Sequence, residues 1–255
     1  MNQNNSLKSD EDRLQDERNF HDEIFSSKKR KSVGKFYSIN KTIEKDYDAE
    51  IFQNPKGKVI LEYGCGMGDK LMSLDKLGAM THGIDISQFA IRDLSTKAKV
   101  VGSKTVYEVM NAENLTFEDR TFDLIYGSGI LHHLNLEKAF LTIGRKLKNG
   151  GRAIFIEPLG HNPLINGFRN KTPDIRTEDE HPLLVGDFVA AKKYFDKISV
   201  RYYYLSTLGL PLIFGERTPN FLITIFNFLD KIIFTIVPPL RKHAWQVLLK
   251  FEKPK

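Results

Sequence analysis

The chain has 255 residues, with 38 Lys and Arg against 32 Asp and Glu, for a formal net charge of +6. Hydrophobic residues at 41% and charged residues at 27% are ordinary globular usage, which excludes a wholly disordered chain, and the length suits one large domain better than two equal ones. One Cys excludes an intramolecular disulfide framework and a thiolate zinc cluster.

The first twenty residues are polar and charged, with no apolar core that could serve as a signal peptide and no hydrophobic periodicity. A frayed tail or exposed helix, in a cytoplasmic protein, is the expectation. Residues 1–45 are read as a tail and cap-helix region, followed by the main domain at 46–255. Within the first part, Lys28, Lys29, Arg30 and Lys31 form a basic run, read as a solvated surface with phosphates or an anionic membrane as the alternative. From residue 57 the pattern changes. Short apolar runs at 59–63, 80–84, 105–110, 122–126, 153–156, 198–205 and 245–251 read as strands. Helix-like segments lie between the early ones, such as 87–99 and 136–148, the second stopped by Asn149-Gly150-Gly151 as a left-handed cap. This alternation predicts an α/β fold: a Rossmann-like, doubly wound sheet of about seven strands, mostly parallel, with an antiparallel last strand.

Two stretches break the alternation. Residues 158–182 are rich in Gly, Pro, Asn and charge, and a loop of that length in a compact domain usually serves function. Residues 208–243 are dominated by aliphatic and aromatic side chains and read as a helical insertion before the final strand. There Asn220, Thr224, Asn227, Lys231 and Thr235 recur at helical spacing and leave a wide apolar face over 221–237. The polar stripe and Asp230-Lys231 argue against a transmembrane span.

The strongest signal is the run Val59-Ile60-Leu61-Glu62-Tyr63-Gly64-Cys65-Gly66-Met67-Gly68, an apolar strand entering a glycine loop that opens a helix. Glycines there allow close backbone approach and positive φ, while helix N–H groups face a ligand. The third glycine of a dinucleotide fingerprint is missing, because Asp69 stands in its place, and no Walker phosphate loop is present. Glu62 would repel a pyrophosphate and suits a cationic or hydroxyl-rich ligand. Asp85 ends the second strand, where α/β sheets bind ribose hydroxyls.

With these residues the chain resembles the class I S-adenosylmethionine-dependent methyltransferases, in particular the small-molecule group of the ubiquinone-biosynthesis type. The resemblance rests on the glycine block, on Gly83-Ile84-Asp85-Ile86-Ser87, on Asn111-Ala112-Glu113-Asn114-Leu115 and on Phe122-Asp123-Leu124-Ile125-Tyr126-Gly127-Ser128. Leu131-His132-His133-Leu134 and Leu147-Lys148-Asn149-Gly150-Gly151 follow in order, so the likeness covers roughly 55–157. It implies that Gly64, Gly66 and Gly68 wrap the methionine moiety of S-adenosylmethionine and that Glu62 meets its ammonium. It also implies that Asp85 binds the ribose and Ile86 lies against the adenine. Asn111, with Ala112 beside it, stands where the family often has Asp to accept from the adenine amino group. Gly127 and Ser128 would lie near the sulfonium.

Methyl transfer is an in-line displacement, so a base is needed only where the acceptor must lose a proton early. His132 and His133 follow the fourth strand on the ligand side and are candidates for that base, against a packing role in the next helix. The 158–182 loop gathers Glu157, His161, Asn162, Arg169, Arg176, Asp179, Glu180 and His181 at the carboxyl edge of the sheet. Arg169 and Arg176 could clamp an acceptor carboxylate or phosphate. Alternatively His161 and His181, with a carboxylate from Glu157, Asp179 or Glu180 and with or without His132 or His133, could hold a divalent metal, although a solvated lid without metal is the favoured reading. The 208–239 segment could cap the pocket, meet another subunit or rest on a membrane surface.

The expected function is methyl transfer to a small-molecule acceptor. A nucleic-acid methyltransferase is the alternative suggested by net charge. Against it, Gly127-Ser128-Gly129-Ile130 stands where base-amino methyltransferases carry an Asn/Asp-Pro-Pro-aromatic block, so no nucleic-acid partner is expected. A non-enzymatic membrane-surface protein on a cofactor fold is the third reading.

Overall fold

The alternation of strand and helix is realised in the computed structural model, which describes residues 9–27, 34–172, 177 and 180–255. Three helices come first: α1 (Asp10–Ser27), α2 (Gly34–Tyr37) and α3 (Lys41–Ile51). The order continues β1 (Val59–Tyr63), α4 (Lys70–Lys76), β2 (Met80–Asp85), α5 (Gln88–Val100), β3 (Val106–Val109), β4 (Phe122–Ser128), α6 (Leu136–Lys146) and β5 (Leu147–Pro158). It ends with α7 (Pro163–Asn170), α8 (Asp187–Ala191), β6 (Phe195–Tyr203), α9 (Gly209–Phe214), α10 (Asn220–Ile236) and β7 (Gln246–Pro254).

These strands form a seven-stranded sheet in the order β3-β2-β1-β4-β5-β7-β6. β7 runs antiparallel to both neighbours, and the pairs from β3 across to β5 are parallel. The order turns outward in two directions from β1 and β4, so the crevice at their carboxyl ends is the expected ligand position. The period of two is visible in the packing. Ile60, Leu124, Tyr126, Ile154, Ile156 and Leu248 fall in one core, with residues of α3, α4 and α5. Leu61, Tyr63, Ile125, Ala153, Phe155 and Leu249 fall in the other, with residues of α6 and α8. Alternate side chains of each strand therefore face opposite layers, as a sheet covered on both faces requires.

Of the two readings for the N-terminal residues, the helix is the one found over 10–27: α1 is tied to the body by Arg13 donating to Glu113 at 2.6 Å and by Phe89 N donating to Asp22 at 3.1 Å. Three expectations are corrected. α6 ends at Lys146 rather than 148, and Asn149-Gly150-Gly151 is no helix cap. Leu147 already pairs with Phe122, the register shifts before Leu124 pairs with Arg152, and Gly150 takes φ 82° in that irregularity. Tertiary pairing with β4 overrides the helical cue there. Within 158–182, helix α7 replaces an open loop. Asn162 caps it by accepting from Leu164 N at 3.0 Å and Ile165 N at 3.2 Å, and Pro163 opens it without losing a needed donor. Finally, part of the polar stripe on α10 faces inward. Asn227 and Asp230 are buried there, while Phe221, Phe228 and Ile236 are exposed. Lys28 to Lys31 lie outside the described residues.

Candidate active site

β1 carries the cofactor side. Its last residues run into the glycine loop, where Gly64 and Gly66 take φ 74° and 49°, a region that L side chains enter at a cost. The loop is held from both sides. Gly64 N and Cys65 N donate to Ile84 O at 3.0 and 2.8 Å. Gly66 N donates to Asp85 Oδ2 at 2.8 Å, and Ser87 N donates to Oδ1 of the same carboxylate at 2.8 Å. Asp85 thus has a structural duty besides any ligand it meets. Burial raises its pKa, and the Ser87 and Gly66 amides work against that rise.

A cavity of about 600 Å³ opens above the loop. Glu62, Gly64, Gly66, Gly68, Asp85, Ile86, Asn111, Ala112 and Ser128 all line it. Gly127 does not: a β-carbon there would sit 2.6 Å from Tyr63 O and 2.9 Å from Phe155, so its smallness serves sheet packing. Asn111 spends its side-chain oxygen on Glu113 N at 2.9 Å, which folds the turn carrying Ala112. The Tyr63 hydroxyl donates to Ala112 O beneath that turn.

Glu62 is the electrostatic centre of this cavity. It is buried, its Oε2 has no hydrogen-bond partner among the described residues, and burial pushes its pKa up to about 8. Lys70 and the neighbouring Tyr126 hydroxyl oppose the rise only in part. An orphaned carboxylate oxygen beside a glycine cradle fits an ammonium-bearing ligand, and a second carboxylate at Asp85 fits a diol. These two acceptors fit the ammonium and ribose hydroxyls that S-adenosylmethionine would donate.

The opposite wall of the cavity comes from α1, through Arg13, Leu14, Glu17, His21, Ile24 and Phe25. Sequence reasoning missed these residues. The signal was present, since 14, 17, 21, 24 and 25 fall on one helical face, but that face mixes charge with apolar residues and shows no hydrophobic period. Glu17 lies 3.3 Å from His21 and from His133, and these neighbours with Thr177 hold its carboxyl well below the usual range despite burial. Burial in turn lowers the His133 pKa, against the raising effect of Glu17.

A second cavity of about 480 Å³ adjoins the first and shares His21, Ser128, Gly129 and His133 with it. His132 stands in its wall. Its Nδ1 lies 2.7 Å from Glu157 Oε2, while Glu157 Oε1 accepts from Ile130 N at 3.0 Å and Leu131 N at 2.8 Å. Glu157 is fully buried, so its carboxylate fixes both the backbone turn and the imidazole plane. His132 Nε2 faces Glu180 at 3.9 Å, and Glu180 is paired with Arg169 at 2.8 Å. Phe36, Tyr37, Phe168 and Trp245 give the cavity aromatic walls. Two further lining groups, Asn40 Oδ1 and Gln246 Oε1, are buried with no hydrogen-bond partner among the described residues.

Of the residues read as a polar acceptor wall, Arg169 faces this cavity. His161 and His181 line neither cavity. His161 O accepts from His243 Nδ1 at 2.9 Å, and exposed His181 donates its backbone N–H to His132 O at 3.0 Å. Arg176 and Asp179 lie outside the described residues. Among the described residues the His and carboxylate groups close enough to share a cation are Glu17, His21 and His133, and His132, His133 and Glu180, so neither set contains His161 or His181.

A glycine cradle at the carboxyl edge of a sheet in this strand order, with carboxylates ending β1 and β2, defines the class I S-adenosylmethionine-dependent methyltransferase fold. Residues 61–155 match the family model described as "Methyltransferase domain". It is 30% identical over 135 residues to a ubiquinone biosynthesis O-methyltransferase of Rhizobium leguminosarum, covering 50% of this chain and 54% of that protein. It is 35% identical over 136 residues to an uncharacterized protein of Methanocaldococcus jannaschii, with 51% and 49% covered. The chain thus spans about half the length of the curated relatives it matches. Among solved structures, a Haemonchus contortus phosphoethanolamine N-methyltransferase in complex with S-adenosyl-L-methionine superposes with TM-score 0.62 at 18% identity, covering 92% of this chain and 60% of that one. The Streptomyces coelicolor geranyl diphosphate C-methyltransferase gives 0.58 at 14% identity, with 84% and 79% covered. At those identities the likeness is one of fold.

Proposed function

We propose that the chain moves a methyl group from S-adenosylmethionine to a hydroxyl on a largely apolar small molecule held in the second cavity. The observation that carries this reading is the His132–Glu157 pair at 2.7 Å, with His132 in the wall of the second cavity and its ring 4.3 Å from that of His133, which both cavities share. With Glu157 ionised, Nδ1–H donates to the carboxylate and Nε2 is presented as the acceptor for the substrate's proton. Bound in the first cavity, S-adenosylmethionine supplies an electrophilic methyl and leaves as a neutral thioether. Everything else falls to the chain. Glu62 pairs with the ammonium, Asp85 takes the ribose hydroxyls, and α1 excludes water from one side. Asn40 and Gln246 offer their oxygens to further donors on the acceptor, and the aromatic walls take its ring or chain. A proton passes from the acceptor hydroxyl to His132 as the oxygen–methyl bond forms. The Rhizobium relative is named an O-methyltransferase, which agrees with a hydroxyl acceptor.

The test is incubation of purified chain with methyl-labelled S-adenosylmethionine and a panel of apolar phenols, catechols and amines. Label recovered as a methyl ether, and lost with His132→Ala, is the expected result. Label found on nitrogen or carbon alone, at a rate His132→Ala leaves unchanged, sinks the proposal.

A further inference from the structure

α10 is amphipathic in the reverse sense. Its inward face carries Asn227 and Asp230, both buried, between Ile223 and Phe234. Asp230 accepts from Leu205 N at 2.9 Å, Ser206 N at 2.8 Å and Thr207 Oγ1 at 2.7 Å, which satisfies the start of the turn Ser206–Leu208. Asn227 donates to Thr42 Oγ1 at 2.9 Å. A buried, fully hydrogen-bonded carboxylate fixes which side of the helix faces the protein, because rotating it outward would strand those donors.

The outward face is apolar. Phe221, Ile225, Phe228, Leu229, Ile232 and Ile236 form one stripe, exposed between 39 and 74%. Their spacing of 4, 3, 1, 3 and 4 residues keeps them within one sector of the helix. Leu212, Ile213 and Phe214 of α9 are exposed as well. Scattered exposed apolar residues need no explanation, but a continuous stripe on a helix whose polar side is locked inward does. Charge surrounds it with one sign predominating. Lys231 lies at the stripe's flank, Arg217 precedes the helix, and Arg241 and Lys242 follow it, all exposed, against a single exposed acid, Glu216, over 208–243.

We propose that α9 and α10 dock the protein on an anionic bilayer surface, with the stripe at the level of the acyl boundary and the basic residues at the headgroups. A helix of 17 residues, about 25 Å long, could lie in the interface plane, and Asp230 on its protein side keeps it there rather than across the membrane. No helix among the described residues is long and apolar enough to span. A second copy fits less well, since a two-fold contact over this stripe would bring Lys231, Arg241 and Lys242 towards their own images. Anionic lipid turns the same charges into attraction. The geometry also relates this face to the acceptor site. α2, which contributes Phe36 and Tyr37 to the second cavity, packs on the turn Gly215–Arg217 that joins α9 to α10.

Vesicle flotation tests this without reading catalysis, so its outcome is separate from that of the methyl-transfer proposal. The full chain is mixed with vesicles of phosphatidylcholine alone or of phosphatidylcholine with phosphatidylglycerol. The expected result is flotation with the anionic vesicles, weakened by added salt, and roughly five-fold weaker partitioning for Lys231→Ala. The triple change Phe221→Ser, Phe228→Ser and Ile236→Ser should abolish flotation while leaving the melting temperature and cofactor binding in place. Should that variant fail to fold, the single change Phe228→Ser with the salt series decides the matter. Wild type that stays down with both vesicle types overturns the proposal. So does a dimer in light scattering that the serine changes dissolve while flotation is absent.

Discussion

The two cavities that meet at Ser128 and Gly129 are built in different ways. Apart from its α1 wall, the first cavity is assembled from the ends of β1, β2, β3 and β4 and the turns that follow them, so those groups are positioned by sheet register and a few backbone hydrogen bonds. The second cavity takes residues from α1, α2, α3, α7, the end of β5 and the start of β7, which are distant in sequence. The lesson is that one side is encoded locally and the other only by the completed fold. Perturbations should therefore separate the two, and they can be ranked by expected effect.

Removal of everything after His243 deletes β7, which pairs with both β5 and β6, and takes Val247, Leu249 and Phe251 out of the core. The expected outcome is loss of cooperative unfolding by calorimetry or circular dichroism. A stable product that still binds cofactor would mean that the sheet does not depend on β7. Next in size is His132→Ala. If the imidazole is the base, turnover should fall roughly 10²–10⁴-fold while calorimetry finds cofactor affinity unchanged, since the ring belongs to the acceptor side. Equal losses on both sides would erase the distinction drawn between the cavities. The converse change, Asp85→Ala, should cost cofactor binding about 1.5–3 kcal/mol as charge-assisted bonds are lost, with the acceptor's KM little altered.

The smallest effect is a pH dependence. Glu62 has its pKa raised by burial to about 8, well above that of an unfolded glutamate. Its protonated form is what the empty folded site tolerates, so its contribution to stability is lost as pH rises from the unfolded value through about 8. Pairing with a ligand ammonium reverses the preference. Cofactor affinity should then rise with pH up to about 8 and level off, with proton release seen when calorimetry is repeated in buffers of different ionisation heat. Glu62→Gln should flatten the profile, and an unchanged slope would remove Glu62 from the ammonium's role.

The same division explains what was legible in the sequence. β1 begins and ends where the apolar run does, and Asp85, at the end of β2, holds Gly66, because strand period and glycine spacing are local properties. α1 was not legible as a cavity wall, because its useful face alternates Glu17, His21 and Phe25 and is stabilised by partners roughly 60–160 positions away, Ser87 and Thr177 among them. α10 was legible as a helix but not as an inverted one. A polar stripe reads as a solvated face until Leu205, Ser206 and Thr207 are found donating to Asp230. Asn149-Gly150-Gly151 misled for a like reason, since glycine at positive φ serves a strand irregularity as well as a helix end. His161 and His181 were grouped by proximity along the chain, whereas α7 stands between the two and neither lines a cavity.

The place of β7 between β5 and β6 has a consequence for how the protein is made. During synthesis β6 emerges some fifty residues before the strand that pairs with it, a delay of roughly 3–10 s at ordinary elongation rates. Through that interval β6 offers two unpaired edges, and its neighbourhood already includes the apolar stripe of α10. The glycine cradle can be complete by the time β5 has formed, but Trp245 and Gln246 arrive with the last strand. The first cavity's cradle can thus be in place before the second cavity has its last wall, and the wait for β7 is when the chain is most exposed to aggregation.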